Sequence, residues 1–151
     1  MELLIIRGKK DGGKSTTAAQ VHNELIKKKA LLRHLELPGN WIQIGKAAQD
    51  FITVYEYMRK VIAIISAGDD ADSLNKIMES IIGEYHPDVL VVCARTRNSY
   101  TYSMLEEKYP ALIKQENIFE TEFIDFDKLT YYKSPVMIKI INRIEQILKT
   151  I

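Results

Sequence analysis

A single cysteine, Cys93, means that no internal disulfide can staple this chain together, and it fits a reducing compartment. Glycine and proline are scarce, at seven and four residues of 151. That scarcity excludes a collagen-like or low-complexity chain, and no internal repeat or linker interrupts the sequence. Charge of one sign is also missing. The 21 basic and 20 acidic residues leave a net charge of +1, so nothing signals a broad nucleic-acid footprint. No apolar run approaches the roughly 20 residues that span a bilayer. The opening MELLIIRGKK has neither a basic flank before its apolar run nor a small-residue cleavage site, which leads to the expectation of a cytoplasmic protein without a membrane partner. Three histidines, His22, His34 and His86, lack the spacing of a zinc site.

What remains is a soluble-type composition, 46% hydrophobic and 27% charged, sufficient for one well-buried core over residues 1–151. Short apolar runs alternate with helical periodicities. LLII at 3–6 and VLVVCA at 89–94 read as strands buried on both faces. Residues 15–29 read as a helix with Ala18, Val21, His22, Leu25 and Ile26 inward, and residues 30–37 as a second strand. The stretch 41–60 could use a helical spacing, but FITVYEYM and VIAIISAG are rich in β-branched and aromatic residues. A hairpin near 51–66 is therefore expected, although its turn lacks Asn-Gly or Asp-Gly. Helices are expected at 70–85, at 99–109 and from Pro135 onward, with a last strand at 117–126. The alternation predicts a three-layer α/β sandwich, a mainly parallel sheet with helices on both faces.

Three of the seven glycines crowd into GKKDGGKST at 8–16, directly after the first strand. Gly8 to Ser15 fits G-x-x-x-x-G-K-[ST], for which a chance match in a chain of this length comes to roughly one in 200. The pattern has a physical purpose. Backbone N–H groups can surround a polyphosphate only where the chain curls without obstructing side chains, and the following helix adds its positive end. The expected phosphate-holding stretch is Gly8, Lys9, Lys10, Asp11, Gly12, Gly13, Lys14, Ser15 and Thr16. Lys14 would reach the β- and γ-phosphates of ATP or GTP and act on the transferring phosphoryl group, while the Ser15 hydroxyl would take a position on Mg²⁺.

With its flanks, GKKDGGKSTTAAQVHNEL resembles the opening of the partitioning and septum-positioning ATPases within the P-loop NTPase superfamily. The resemblance covers about the first 40 residues. It implies a P-loop NTPase fold, ATP hydrolysis and a homodimer, in which Lys9 falls where the family keeps a lysine that reaches phosphates across the dimer interface. LLRHLELPGN is similar to the family's second strand, with Glu36 where a functional aspartate is expected. The chain departs from the pattern at His34, in place of the first aspartate, and at Cys93, where an acidic switch residue would sit.

Further site residues are sought at the carboxyl ends of other strands. Glu36 and Asp69 are candidate metal ligands, Asp69 also as a carboxylate that orients an attacking group. Asp69 reads equally as a helix cap, and Asp70 reads better as one. Arg95 and Arg97, two residues apart after VLVVC, either clamp phosphoryl oxygens or belong to a basic surface loop with Asn98 or Ser99 as a cap. Cys93 is expected to be buried and inert. Tyr100, Tyr102, Tyr131 and Tyr132 either stack on a base or pack. Three functions follow: a Mg²⁺-dependent nucleoside triphosphatase, a small-molecule or nucleotide kinase, and a nucleotide-binding sensor or scaffold without turnover.

Overall fold

A computed structural model describes residues 1–8, 13–36, 50–67, 70–96, 100–121 and 134–151. The chain runs β1 (Glu2–Gly8), α1 (Lys14–Lys27), β2 (Leu31–Glu36), β3 (Ile52–Tyr57), β4 (Lys60–Ile65), α2 (Ala71–Tyr85), β5 (Val89–Arg95), α3 (Thr101–Lys108), two short 3₁₀ turns, β6 (Ile118–Glu120) and α4 (Pro135–Thr150). One six-stranded sheet has the order β2-β3-β4-β5-β1-β6. The pairs β4–β5, β5–β1 and β1–β6 are parallel, and β2–β3 and β3–β4 are antiparallel.

Side-chain alternation divides the core into two layers. Leu4 and Ile6 of β1, with Val89, Val91 and Cys93 of β5, share one cluster with the apolar residues of α1 and α4. Leu3, Ile5, Leu90, Val92 and Ala94 face the opposite way, against Leu74, Met78 and Ile81 of α2 and Met104 and Leu105 of α3. The sheet thus carries helices on both faces. Because β1 and β5 are buried on both sides, they read as unbroken apolar runs in the sequence.

The helix ends follow recognisable chemistry. Asp70 caps α2, its carboxylate accepting from the Ser73 N–H at 3.1 Å, and hydrogen bonding by Ser73 holds its pKa below the usual value. Ser134 caps α4 in the same way, accepting from the Met137 N–H at 3.1 Å, with Pro135 opening the helix. Met137, Ile140, Ile141, Ile144, Ile147 and Leu148 of α4 all reach the core. Ile26, expected inward, is exposed because it lies beside the stripe formed by Ala18, Val21, His22 and Leu25. The last strand is shorter than the 117–126 expected. Asn117 belongs to a 3₁₀ turn and Thr121 lies past the strand end, while 122–126 fall outside the described residues.

The hairpin expected near 51–66 is present, and it closes through a turn without the usual Asn-Gly or Asp-Gly. Tyr57 pairs with Lys60, leaving the two-residue loop Met58-Arg59 with φ of 53° and 63°. Positive φ at both positions is the type I′ geometry that suits a right-twisted hairpin, usually supplied by Asn-Gly. Side chains with a Cβ are strained there by about 1 kcal/mol or more each. The double substitution Met58→Asn/Arg59→Gly is expected to stabilise the fold by roughly 1–2 kcal/mol, read as a raised urea midpoint at unchanged slope. An unmoved midpoint would refute this account of the turn.

Candidate functional site

β1 and β5 lie side by side and parallel, in a register that pairs Gly8 with Arg95 at their carboxyl ends. The helices that follow them go to opposite faces, α1 to one and α3 to the other. A crevice between neighbouring strands whose connections diverge in this way is the ligand-binding place of open α/β sheets. Here it is bounded by Gly8, the first turn of α1, Arg95 with Thr96, and the start of α3.

On the α1 side, Gly13 occupies the N-cap with φ 87° and ψ 13°, a left-handed conformation that glycine adopts without strain. Among the described residues no side chain caps this end, and no acidic residue lies in the first turn. The first-turn amides of a helix have no carbonyl partners within it, and the helix dipole places positive charge there. Lys14, the first helical residue, is 7% exposed. Ser15 and Thr16 are half-buried, and the Thr17 N–H donates to the Gly13 carbonyl at 2.8 Å. The buried Cys93 thiol donates to the Lys14 carbonyl across 3.6 Å, which ties the helix start to β5. Burial and this structural contact agree with an inert thiol.

Gly8 has a steric reason of its own. A Cβ there would fall 2.5 Å from Thr121 Oγ1 and 3.5 Å from Lys14 Cγ. Thr121 is fixed at the end of β6 by its N–H, which donates to the Arg7 carbonyl at 3.0 Å. Gly8→Ala is therefore expected to cost about 1–2 kcal/mol in denaturant unfolding, and Thr121→Ala in the same chain to recover most of it. Equal stability of Gly8→Ala with and without Thr121→Ala would remove Thr121 from the explanation. Sequence reasoning missed Thr121, and no local pattern distinguishes it.

On the other side, alternation places Arg95 on the same sheet face as Cys93 and α1, with its Nε buried. The Thr96 N–H extends the pairing, donating to the Gly8 carbonyl at 3.3 Å. Thr101 locks the Arg95 backbone: its Oγ1 accepts from the Arg95 N–H at 2.7 Å and donates to the Arg95 carbonyl at 3.3 Å. The N-cap of α3 is Tyr100, while Asn98 and Ser99, the caps of the surface-loop reading, lie outside the described residues. Arg7 faces the α3 layer, 4.6 Å above the Tyr102 ring, and its Nε donates to Glu120 Oε1 at 2.7 Å. That hydrogen bond raises the Arg7 pKa, so Arg7 is a paired cation at the crevice edge.

Of the residues predicted for the site, the structure brings Gly8, Gly13, Lys14, Ser15, Thr16 and Arg95 to this crevice. Lys9, Lys10, Asp11, Gly12, Asp69 and Arg97 lie outside the described residues. Glu36 is not brought there. Three strands, β3, β4 and β5, separate β2 from β1, a span of roughly 19 Å at ordinary strand spacing. Instead Glu36 sits on the outer strand, 3.6 Å from His34 Nε2. Among the described residues no group of three or more His, Cys, Asp or Glu side chains could hold a metal ion, and no helix is long and apolar enough to cross a membrane. No family model, curated protein or solved structure matches the chain.

Proposed function

We propose that the chain binds a Mg²⁺–nucleoside triphosphate, ATP in the first instance, in the crevice between β1 and β5 and hydrolyses its terminal phosphoanhydride. The observation that carries this reading is the place of Lys14. It is a buried lysine at the first position of α1, directly behind a left-handed glycine and against the side-chain-free Gly8. A cation enclosed at a helix N-terminus suits a ligand carrying several negative charges. Lys14 holds the β- and γ-phosphate oxygens, and the first-turn amides of α1 face the phosphates. Ser15 offers its hydroxyl to Mg²⁺, which would supply neutralising charge at those oxygens. Arg95 approaches the terminal phosphate from β5. Water adds to the γ-phosphorus as the bond to the bridging oxygen breaks, giving a nucleoside diphosphate and phosphate, and Arg95 steadies the charge spread over the transferring group. The similarity of residues 8–25 to the partitioning ATPases supports hydrolysis as the reaction.

Transfer to an acceptor is the second reading, favoured by Cys93 lying on β5 where a hydrolase would place an acid. Phosphate release from MgATP or MgGTP, measured with and without candidate acceptors, separates the two. Release without acceptor that disappears on removing the Lys14 ammonium supports hydrolysis, and diphosphate formation only with an acceptor supports the kinase. Binding with negligible turnover in both arms points to the sensor. Failure to bind any Mg²⁺–nucleotide or inorganic tripolyphosphate by calorimetry overturns all three.

A further inference from the structure

Five non-glycine residues have positive φ among the described residues, and four sit where chain reversal requires it. Lys29 and His86 follow helix C-termini, and Met58 and Arg59 form the hairpin turn. Tyr100 is the exception. Its φ of 58° falls at a helix N-cap, a position that ordinarily takes extended backbone and a short polar side chain. Its side chain makes no capping hydrogen bond, and at 76% it is the most exposed large hydrophobic side chain among the described residues. A strained backbone that displays an uncovered aromatic ring gains nothing in packing, and strain of this kind gathers at functional sites.

The location supplies the use. Tyr100 precedes Thr101, which hydrogen-bonds both backbone groups of Arg95, and Arg95 is the register partner of Gly8. Tyr100 therefore stands on the α3 wall of the crevice, opposite the α1 wall that carries Lys14. Tyr102, two residues on, is already committed to Arg7.

Resting on the triphosphate site proposed above, we propose that Tyr100 is a stacking platform for a nucleobase at the α3 wall. The ring is either the base of the bound triphosphate or that of a second nucleotide next to the terminal phosphate. Both present the same planar heteroaromatic face, and stacking on an aromatic side chain is indifferent to which base it meets. The test compares the unsubstituted chain with Tyr100→Phe, Tyr100→Ala and Tyr100→Gly, the last adopting positive φ freely, so that folding is retained. Calorimetry is run with a non-hydrolysable MgATP analogue, with inorganic tripolyphosphate, and with AMP or GMP added to analogue-loaded protein. Tyr100→Ala and Tyr100→Gly are expected to weaken one nucleotide about tenfold, with tripolyphosphate unchanged and Tyr100→Phe near the unsubstituted value. Loss confined to the triphosphate assigns its own base, and loss confined to the monophosphate assigns a second nucleotide. Equal affinities across all four chains, or an equal loss for tripolyphosphate, overturn the platform. Tripolyphosphate binding by the unsubstituted chain keeps the phosphate site standing in either case.

Discussion

Replacing Lys14 by methionine is expected to weaken triphosphate binding by about 100-fold or more while leaving the chain folded. An ammonium that reaches two phosphate oxygens makes charge-assisted hydrogen bonds worth about 1.5–3 kcal/mol each, and enclosure keeps solvent from screening them. Lys14 is 7% exposed and its stem lies beside Gly8, so methionine keeps the aliphatic contact and removes only the charge. Alanine would mix that loss with a cavity. Inorganic tripolyphosphate should lose as much affinity as ATP, since the lysine meets phosphate and not base. Unsubstituted chain and Lys14→Met should also differ in salt dependence, with the shallower slope in the variant. Equal affinity for tripolyphosphate in the two chains would leave Lys14 as a structural lysine and remove the support for the triphosphate reading.

The central strands were legible because burial on both faces writes itself as a continuous apolar run, as in LLII and VLVVCA. α2 was legible through its cap, Asp70, and α4 through Pro135 at its start, as well as through their periodicity. Other features were set by contacts distant in sequence. Nothing local says that β2 pairs with β3 on the outer side of the sheet and not beside β1. The hairpin decides this by placing β3 and β4 between them, and Glu36 is carried away from the crevice as a result. The turn Met58-Arg59 was illegible because β3 and β4 hold it in a conformation its own residues do not prefer.

The α1 half of the candidate site is local. Gly8, Gly13, Lys14 and Ser15 belong to one strand end and one helix start close together in sequence, so a linear pattern can describe them. The facing half depends on sheet parity and cross-strand register. Arg95 reaches the α1 face because it is two residues beyond Cys93, and it meets Gly8 only through the β1–β5 pairing. Thr121 lies just past the end of β6, 113 positions after Gly8, and no pattern in the sequence connects them. Tyr100 was one of four tyrosines with the same two readings. Its backbone and exposure set it apart from Tyr102, which packs over Arg7.

Acid is expected to weaken the fold through one histidine of α1. His22 lies two turns along α1 from Lys14, 9% exposed, with its ring near Phe51 and Tyr55 and its Nδ1 hydrogen-bonded to the Tyr55 hydroxyl. Burial lowers its pKa to about 4, against about 6.5 in an unfolded chain, and burial raises the pKa of Tyr55, which keeps its proton throughout. The unfolded state therefore binds a proton that the folded state refuses as pH falls below 6.5, and stability declines with it. The loss should reach about 2 kcal/mol at pH 5 and about 3 kcal/mol near pH 4, then level off for this group. Carboxylates also titrate at the acid end, so the informative comparison is pH 7 against pH 5. In His22→Phe/Tyr55→Phe both partners of that hydrogen bond go together, so neither is left buried without the other, and comparing the two pH values isolates the imidazole. The double variant's denaturant stability should be almost the same at pH 5 as at pH 7, while the unsubstituted chain falls by about 2 kcal/mol. Parallel losses in the two chains would place the acid sensitivity elsewhere and show that His22 accepts a proton in the folded state.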